Sequence, residues 1–312
     1  MSIELAAIPQ LRSQHIDIPF LAELGTKLEI LRVDEVHPLI SGNKWYKLKY
    51  NLLQARAEGH QRLLSFGGAF SNHIYALAAA GKAYGFQTIG VIRGEKAEPL
   101  NATLSFAEAQ GMQLHFISRE AYRHKADYLF LQDLLQQFGP CYLIPEGGSN
   151  TLAVKGCCEI IARPDDYDYI ACCVGTGGTL AGILEKTQKR TKVLGFSALK
   201  GGDFLYEEVN RLTSAFSGSI YDNYKIVTDY HFGGYAKATP VLVGFINDFK
   251  KEHKILLDPI YTGKMMYGLL DMAKQGFFKS GSRILAVHSG GLQGISGFNE
   301  RYAKKNLQIF VD

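Results

Sequence analysis

The sequence predicts an α/β protein with open, mostly parallel sheets flanked by helices. Short apolar runs alternate with longer segments of helical periodicity, and glycine turns separate many of them. This alternation occupies residues 62–145 and starts again at residue 169. Because parallel strands need crossover connections, this repeated order favours parallel sheets over hairpins.

In the first half of the chain, strands and helices follow one another closely. Residues 1–43 are expected to be strand and loop, with a strand at 28–33, and helical periodicity starts at Lys47 and stops before Gly59. Ser71 or Asn72 is the expected N-cap of the next helix. The further predicted elements are strands 62–66, 87–92, 113–117 and 142–145, and helices ending at 84, spanning 100–110 and spanning 119–138.

The second half repeats the pattern with one irregular stretch. Strands are predicted at 169–174, 193–197 and 284–288, and a helix at 180–189. Residues 200–240 are rich in Gly, Tyr and Ser and show no clear period, so we expect irregular structure there.

Composition and charge exclude several classes of protein. The net charge is +4 without a long basic run, so no nucleic-acid partner is expected. No stretch of about 18 or more apolar residues occurs, so no membrane span is expected. Met1 to Leu5 lack a basic region followed by an apolar run, so no signal peptide is expected. The cysteines are odd in number, with two adjacent pairs, which suits neither a disulfide framework nor a metal site and indicates the cytoplasm; they are Cys141, Cys157, Cys158, Cys172 and Cys173.

A lysine lies where a polar turn, Ser41-Gly42-Asn43-Lys44, meets the first long helical pattern. A lysine at such a position is either a solvated surface charge or a nucleophile that forms a Schiff base. Lys47 lies one turn later on the same face, and a second cation beside Lys44 favours the nucleophile. The spacing of the two lysines leaves both readings open.

A glycine-rich turn follows the strand at 169–174 and opens a helix. Its glycines bring backbone N–H groups together at a helix N-terminus, which favours an anion. No Lys-Ser or Lys-Thr pair ends the turn as in a Walker A loop, and the acidic residue of a dinucleotide fold is missing. We therefore expect the turn to bind the single phosphate of a cofactor, rather than to be a glycine turn without a ligand. Its residues are Gly175, Thr176, Gly177, Gly178 and Thr179.

Three further segments are candidates for the same site. Ser71, Asn72 and His73 open a helix after Gly67-Gly68, which suits a carboxylate, although capping alone would explain Ser71 or Asn72. The other two segments are Asp258-Pro259-Ile260-Tyr261-Thr262-Gly263-Lys264 and His288-Ser289-Gly290-Gly291. Thr262 is explained equally well as an N-cap and Tyr261 as packing. In a parallel sheet, ligands bind at the carboxyl ends of strands, so these segments can meet at one site.

In this order, these motifs resemble the 1-aminocyclopropane-1-carboxylate deaminase and D-cysteine desulfhydrase family over residues 28–298. The resemblance implies a two-domain pyridoxal-phosphate enzyme of the tryptophan synthase β-subunit fold. Residues 1–46 and 151–312 would form the large cofactor-binding domain and residues 47–150 the small one. It further implies a homodimer that acts on a small amino acid, with no metal.

The resemblance also implies roles for individual residues. Lys44 would bond the cofactor covalently and act with Tyr261 and Ser71 in catalysis. Asn72 would contact the phenolic oxygen of the cofactor. The remaining assignments are Ser71, Asn72, His73, Tyr235 and Tyr261 for the substrate, Gly175, Thr176, Gly177, Gly178 and Thr179 for the phosphate, and Ser289 for the pyridine nitrogen.

One residue points to a substrate. Ring-opening deaminases of this family carry Glu directly after the tyrosine of Asp-Pro-x-Tyr, whereas this chain has Thr262. The resemblance therefore implies β-elimination, with D-cysteine giving pyruvate, ammonia and hydrogen sulfide. The alternatives are a deaminase that gives 2-oxobutyrate and ammonia, a racemase or dehydratase on the same fold, and a binding protein without turnover.

Overall fold

The structure of the protein, a computed structural model, describes residues 10–311. The expectation about Met1 to Leu5 lies outside these residues. The strands are β1 (Ser13–Ile16), β2 (Lys27–Leu31), β3 (Arg62–Gly68), β4 (Gln87–Arg93), β5 (Gln113–Ile117), β6 (Tyr142–Ile144), β7 (Tyr169–Val174), β8 (Lys192–Ser197), β9 (Tyr224–Val227) and β10 (Arg283–Val287).

The α-helices connect these strands and cover the sheets. They are α1 (Pro19–Glu23), α2 (Asn43–Ala57), α3 (Asn72–Tyr84), α4 (Ala102–Ala109), α5 (Tyr128–Phe138), α6 (Thr151–Cys157), α7 (Gly178–Thr187), α8 (Leu205–Ser217), α9 (Pro240–His253), α10 (Thr262–Lys274) and α11 (Gly294–Tyr302).

The strands form two sheets. One has six strands in the order β1-β2-β10-β7-β8-β9, of which only β1 runs antiparallel to its neighbour. The other has four parallel strands in the order β5-β4-β3-β6. All six residues of β7 are buried, as expected for a central strand covered on both faces. The α/β prediction with open, mostly parallel sheets is therefore confirmed.

Each sheet has a point where the strand order changes direction. In the larger sheet, β8 and β9 lie on one side of β7 and β10 on the other; in the smaller, β4 and β5 lie on one side of β3 and β6 on the other. Loops at the carboxyl ends of such neighbouring strands diverge and leave a crevice. The loops after β3, β7 and β10 carry three of the candidate motifs, at residues 71–73, 175–179 and 288–291.

The helix that carries Lys44 begins earlier than the sequence predicts. We expect helix from Lys47, but α2 begins at Asn43, so Lys44 lies in its first turn. Gly42 makes this start possible: its φ of 69° and ψ of −152° lie in a region that is essentially restricted to glycine. The polar residues of this turn hid the helix because the apolar pattern starts only after them.

Three other predictions need correction. Residues 119–138 do not form one helix: a short 3₁₀ turn at Ala121–His124 precedes α5, because Asp127 is extended and interrupts the helix. The expected irregular stretch 200–240 contains α8 and β9. Residues 1–43, expected to be strand and loop, also contain α1, which starts with Pro19.

No helix within residues 10–311 is long and apolar enough to cross a membrane. The same residues contain no group of three or more His, Cys, Asp or Glu side chains arranged to hold a metal ion.

Candidate active site

A cavity of about 1070 Å³ lies at the carboxyl ends of both sheets. All the site residues predicted from the sequence line this cavity, with the exception of Gly178. The lining residues among them are Lys44, Ser71, Asn72, His73, Gly175, Thr176, Gly177, Thr179, Tyr235, Tyr261 and Ser289. The topology thus brings together segments that are up to about 245 residues apart in the chain.

Lys44 is partly buried and projects into this cavity from the first turn of α2. Its Nζ donates to Asn43 Oδ1 at 3.0 Å. Burial lowers the pKa of Lys44 to about 7, and the charge of Lys47 adds to the shift. A large fraction of the amine is therefore neutral and nucleophilic at neutral pH, as a Schiff-base lysine requires.

Lys47 is only 2% exposed and lines the cavity beside the glycine turn at residues 175–179. Its Nζ donates to Gly147 O at 3.1 Å and to Ser149 Oγ at 3.0 Å, and lies 3.4 Å from Thr176 Oγ1. Burial lowers its pKa as well. A side chain at Gly178 would lie 3.0 Å from Lys47 Nζ, so this glycine lets α7 approach the lysine.

The glycine turn forms a cup at the start of α7, defined by residues 175–179. Within the described part of the chain, the backbone N–H groups of Thr176, Gly177 and Thr179 have no hydrogen-bond acceptor. Thr179 Oγ1 accepts from Asn43 Nδ2 at 2.7 Å, and its hydroxyl also forms a hydrogen bond with the thiol of Cys157. Free N–H groups at the positive end of a ten-residue helix provide an anion site.

The N-terminus of α3 forms a second polar wall. Ser71 caps the helix by accepting from Ile74 N at 3.3 Å, as predicted. The N–H groups of Asn72 and His73 have no acceptor among the described residues. Gln293 Nε2 donates to Asn72 Oδ1 at 2.6 Å, so the amide of Asn72 presents its Nδ2 donors elsewhere.

His73, which the resemblance places near the substrate carboxylate, lines the cavity. Its ring is 1% exposed, and Nε2 lies 2.8 Å from Ser65 Oγ, which itself donates to Ile144 O. Nε2 is therefore the donor, and Nδ1 is an unprotonated, unpartnered acceptor. Burial and the nearby charges of Lys44 and Lys47 lower its pKa well below the usual range. With its ring N–H engaged by Ser65, His73 offers its backbone N–H as the donor available to a carboxylate.

Two tyrosines also line the cavity. The rings of Tyr235 and Tyr261 meet edge to face, with centroids 6.1 Å apart, and their phenols share a hydrogen bond. Burial and the neighbouring Tyr235 raise the pKa of Tyr261 well above its usual value. Tyr261 therefore stays protonated at neutral pH and can donate a proton or a hydrogen bond.

Of the two hydroxyl residues near the end of β10 and the start of α10, only Ser289 lines the main cavity. Thr262 is fully buried and donates to Asp258 Oδ1 at 2.8 Å, while accepting from Asp258 N at 2.9 Å. The Asp258 carboxylate also accepts from the backbone N–H groups of residues 260–262. Thr262 thus closes the loop that orients Tyr261.

Sequence reasoning gave no role to several residues that complete the site. Asn43 bridges Lys44 and Thr179, and Gln293 orients Asn72. Gly147 and Ser149 hold Lys47. Asn43 belongs to a quoted motif and could have been noted, whereas the others come from distant segments without a motif of their own.

These residues fit pyridoxal phosphate. The cup offers free N–H groups for the phosphate, and the neutral amine of Lys44 suits its aldehyde. Asn72 would meet the phenolic oxygen and Ser289 the ring nitrogen. A Cβ at Gly175 would lie 3.3 Å from the ring of Tyr261, so this glycine lets the ring pack against the cup.

Comparison with known proteins gives the family. The model of the "Pyridoxal-phosphate dependent enzyme" family matches residues 10–290. A bifunctional D-cysteine desulfhydrase/1-aminocyclopropane-1-carboxylate deaminase of Arabidopsis thaliana is 31% identical over 87% of this chain and 74% of its own. A D-cysteine desulfhydrase of Klebsiella pneumoniae is 28% identical over 90% and 92%, respectively.

A solved structure agrees with these relatives. The crystal structure of an ACC deaminase homologue superposes with a TM-score of 0.82 at 26% identity, covering 97% of this chain and 95% of that one. The chain belongs to the pyridoxal-phosphate-dependent enzymes and, among them, to the group of 1-aminocyclopropane-1-carboxylate deaminases and D-cysteine desulfhydrases.

Proposed function

We propose that the protein catalyses β-elimination from a small amino acid, with D-cysteine and water giving pyruvate, ammonia and hydrogen sulfide. The observation that carries the proposal is the amine of Lys44, whose pKa is lowered to about 7 at the wall of the cavity. Bound pyridoxal phosphate would supply the electron sink that makes the Cα–H bond acidic. Lys44 would take that proton as a general base.

Orientation of the substrate supports the same reaction. The free N–H groups of Asn72 and His73, at the positive end of α3, suit the substrate carboxylate. The Ser71 hydroxyl lies at the same helix start and can add a donor. A carboxylate held there fixes which bond at Cα faces Lys44, and such positioning is a large part of catalysis.

The hydroxyl groups of Ser289 and Tyr261 bear on the type of reaction. Ser289 lines the cavity, and its neutral hydroxyl would supply no charge to hold a proton on the ring nitrogen. Tyr261, protonated at neutral pH, can donate to a departing thiolate. A thiolate that leaves as hydrogen sulfide must gain a proton, which Tyr261 can supply.

A second candidate is deamination of 1-aminocyclopropane-1-carboxylate with water to 2-oxobutyrate and ammonia. The similarity to the bifunctional Arabidopsis relative and to the ACC deaminase homologue favours it. Thr262 argues against it, because its hydroxyl is bound to Asp258 and offers no carboxylate to the cavity.

The test is product analysis with purified protein and added pyridoxal phosphate. D-cysteine, L-cysteine and the cyclopropane amino acid are incubated separately, and 2-oxo acids are separated by chromatography beside an assay of sulfide. We expect pyruvate and sulfide in equal amounts from D-cysteine, and neither product with Lys44→Ala. A yellow protein that releases only 2-oxobutyrate, from the cyclopropane substrate, would replace the proposal with the second candidate.

We also propose that the protein is a cytoplasmic homodimer and that residues 47–150 form a separate small domain. Within the described residues all five cysteines are free thiols, which suits a reducing compartment. Tyr128 and Leu129 of α5 are highly exposed and apolar, which favours a subunit contact. Light scattering of the purified protein tests the dimer.

A further inference from the structure

Lys264 is a buried lysine that the proposed reaction does not use. It lies in the first turn of α10, three residues after Tyr261, and is 2% exposed. Its Nζ donates to the carbonyl oxygens of His231 and Gly234, both at 2.8 Å. No carboxylate within the described residues forms an ion pair with it at less than 4 Å, so two carbonyl groups are its main partners.

The loop that Lys264 holds has an unusual backbone. Phe232 and Ala236 have φ values of 49° and 53°, and Gly233 and Gly234 have values of 93° and 113°. Phe and Ala are strained in this left-handed region. Such a loop keeps its shape only if surrounding contacts fix it, and residues 231–236 belong to no helix or strand.

The loop carries Tyr235, and this residue lines the cavity. The carbonyls that bind Lys264 belong to residues on the N-terminal side of Tyr235, and Gly234 is its direct neighbour. Tyr261 is the N-cap of α10, and Lys264 lies in the first turn of the same helix. The start of α10 therefore fixes Tyr261 directly and Tyr235 through Lys264.

Burial of this amine is costly. Burial lowers the pKa of Lys264 to about 8, with a partly opposing effect of the Asp258 charge. An apolar side chain of similar length would fill the space without this cost. The two hydrogen bonds are therefore the property that distinguishes lysine from methionine at this position.

We propose that Lys264 is a positioning residue that holds Tyr235 against Tyr261 and thereby sets the affinity of the site for its amino-acid substrate. This inference rests on the proposed function in one respect: Tyr235 must face the substrate. Lys264 itself touches neither substrate nor cofactor, so its removal should alter KM and leave cofactor binding intact.

The test is Lys264→Met in the holoenzyme, beside Lys49→Met as a control. Lys49 is equally buried but bonds Glu159 and does not line the cavity. We expect the KM of the turned-over amino acid to rise about tenfold in Lys264→Met, the effect of one good hydrogen bond to a charged group. Both variants should keep kcat and cofactor affinity within about threefold of the parent, which is below 1 kcal/mol.

A double-mutant cycle separates positioning from general destabilisation. In a Tyr235→Ala background, Lys264→Met should have no further effect on KM, because the side chain that it positions is gone. An equal rise of KM in both backgrounds would overturn the proposal.

Hydrogen exchange provides a readout that is independent of activity. Amides of residues 231–237 should exchange faster in Lys264→Met than in Lys49→Met. Unchanged exchange there would refute the inference even if no amino acid tested is a substrate, while faster exchange without turnover would refute only the proposed function. Lys264→Gln retains donors and should give an intermediate exchange rate, which decides the question if the Met variant does not fold.

Discussion

Lys44 owes its reactivity to its neighbours. Asn43 holds its amine, burial disfavours its charge, and Lys47 opposes a second positive charge nearby. Lys47 lowers the pKa of Lys44 through its charge but is not itself the expected nucleophile. Its own Nζ already donates to Gly147 O and Ser149 Oγ. Of the two lysines, Lys44 is therefore the one placed to react.

The first prediction concerns the pH dependence of this amine. Only the unprotonated amine is acylated, and the lowered pKa of Lys44 means that it loses its proton at about pH 7. In the apoprotein, the rate of labelling of Lys44 by acetic anhydride should rise from pH 6 and level off above pH 8, as followed by peptide mass spectrometry.

Lys96 is the internal control for that labelling. It is exposed, and the carboxylate of Glu98 raises its pKa. Its labelling rate should still be rising at pH 9. A midpoint for Lys44 near the ordinary lysine value of about 10.4 would contradict the assigned environment.

Single residues in the site were predictable where one local segment carries the signal. The residues of the cup were predictable from the glycines at the start of α7, and Ser71 from the preference for serine as an N-cap. Lys44 was predictable from its motif. The contacts of Gln293 with Asn72 and of Ser65 with His73 were not predictable, because tertiary structure alone brings these residues together. The ring orientation of His73 depends on such a contact, and its place in substrate binding stays a prediction.

At the scale of elements, the start of α2 and the loop after β10 interlock. Asn43 N donates to Ser289 O at 3.2 Å. A Cβ at Gly42 would lie 1.9 Å from the same oxygen, so only glycine permits this approach. Ser41 Oγ donates to Asp34 O at 2.9 Å and further fixes the segment. Lys44 and Ser289 are thereby held at a fixed separation.

The second prediction tests this contact with Gly42→Ala. The added Cβ must displace Ser289, and we expect the free energy of unfolding to fall by about 2–4 kcal/mol, with weaker cofactor binding. Gly59→Ala is the matched control, since Gly59 also has a positive φ, 77°, but a Cβ there meets nothing within 4 Å. The two variants are compared by urea unfolding, and equal losses would contradict the steric explanation.

The local sequence pattern decided which of the elements β7, α8 and β9 were predictable. The fully buried β7 was predicted at its observed ends because its apolar run is continuous. The helix α8 was missed, although Leu205, Val209 and Leu212 form a buried stripe on it, because exposed polar and aromatic residues lie between them. The edge strand β9 has only four residues, and it pairs with β8 through contacts that no local pattern specifies.

At the scale of the molecule, the cavity depends on how segments of both sheets pack around α2. Lys49 of this helix is buried and pairs with Glu159 at 2.7 Å, just after α6. Glu159 also accepts from Tyr50. The predicted division at residues 46 and 47 falls inside α2, and the division into domains remains a prediction.

The third prediction concerns this buried ion pair. Lys49→Met leaves the Glu159 carboxylate without its cation, and we expect the free energy of unfolding to fall by about 3 kcal/mol. The exposed pair of Arg190 and Asp165 is the control, and Arg190→Met should cost at most about 1 kcal/mol. Urea unfolding of both variants measures the difference, and equal costs would argue against a structural role of the buried pair.

The central claim is that Lys44 is the residue that holds the cofactor. Reduction of the holoprotein with borohydride, followed by peptide mass spectrometry, tests it most directly. We predict a phosphopyridoxyl group on Lys44 and none on Lys47, although the two lysines lie one turn apart on the same helix. The group on Lys47, or on no lysine of this helix, would contradict the assigned site.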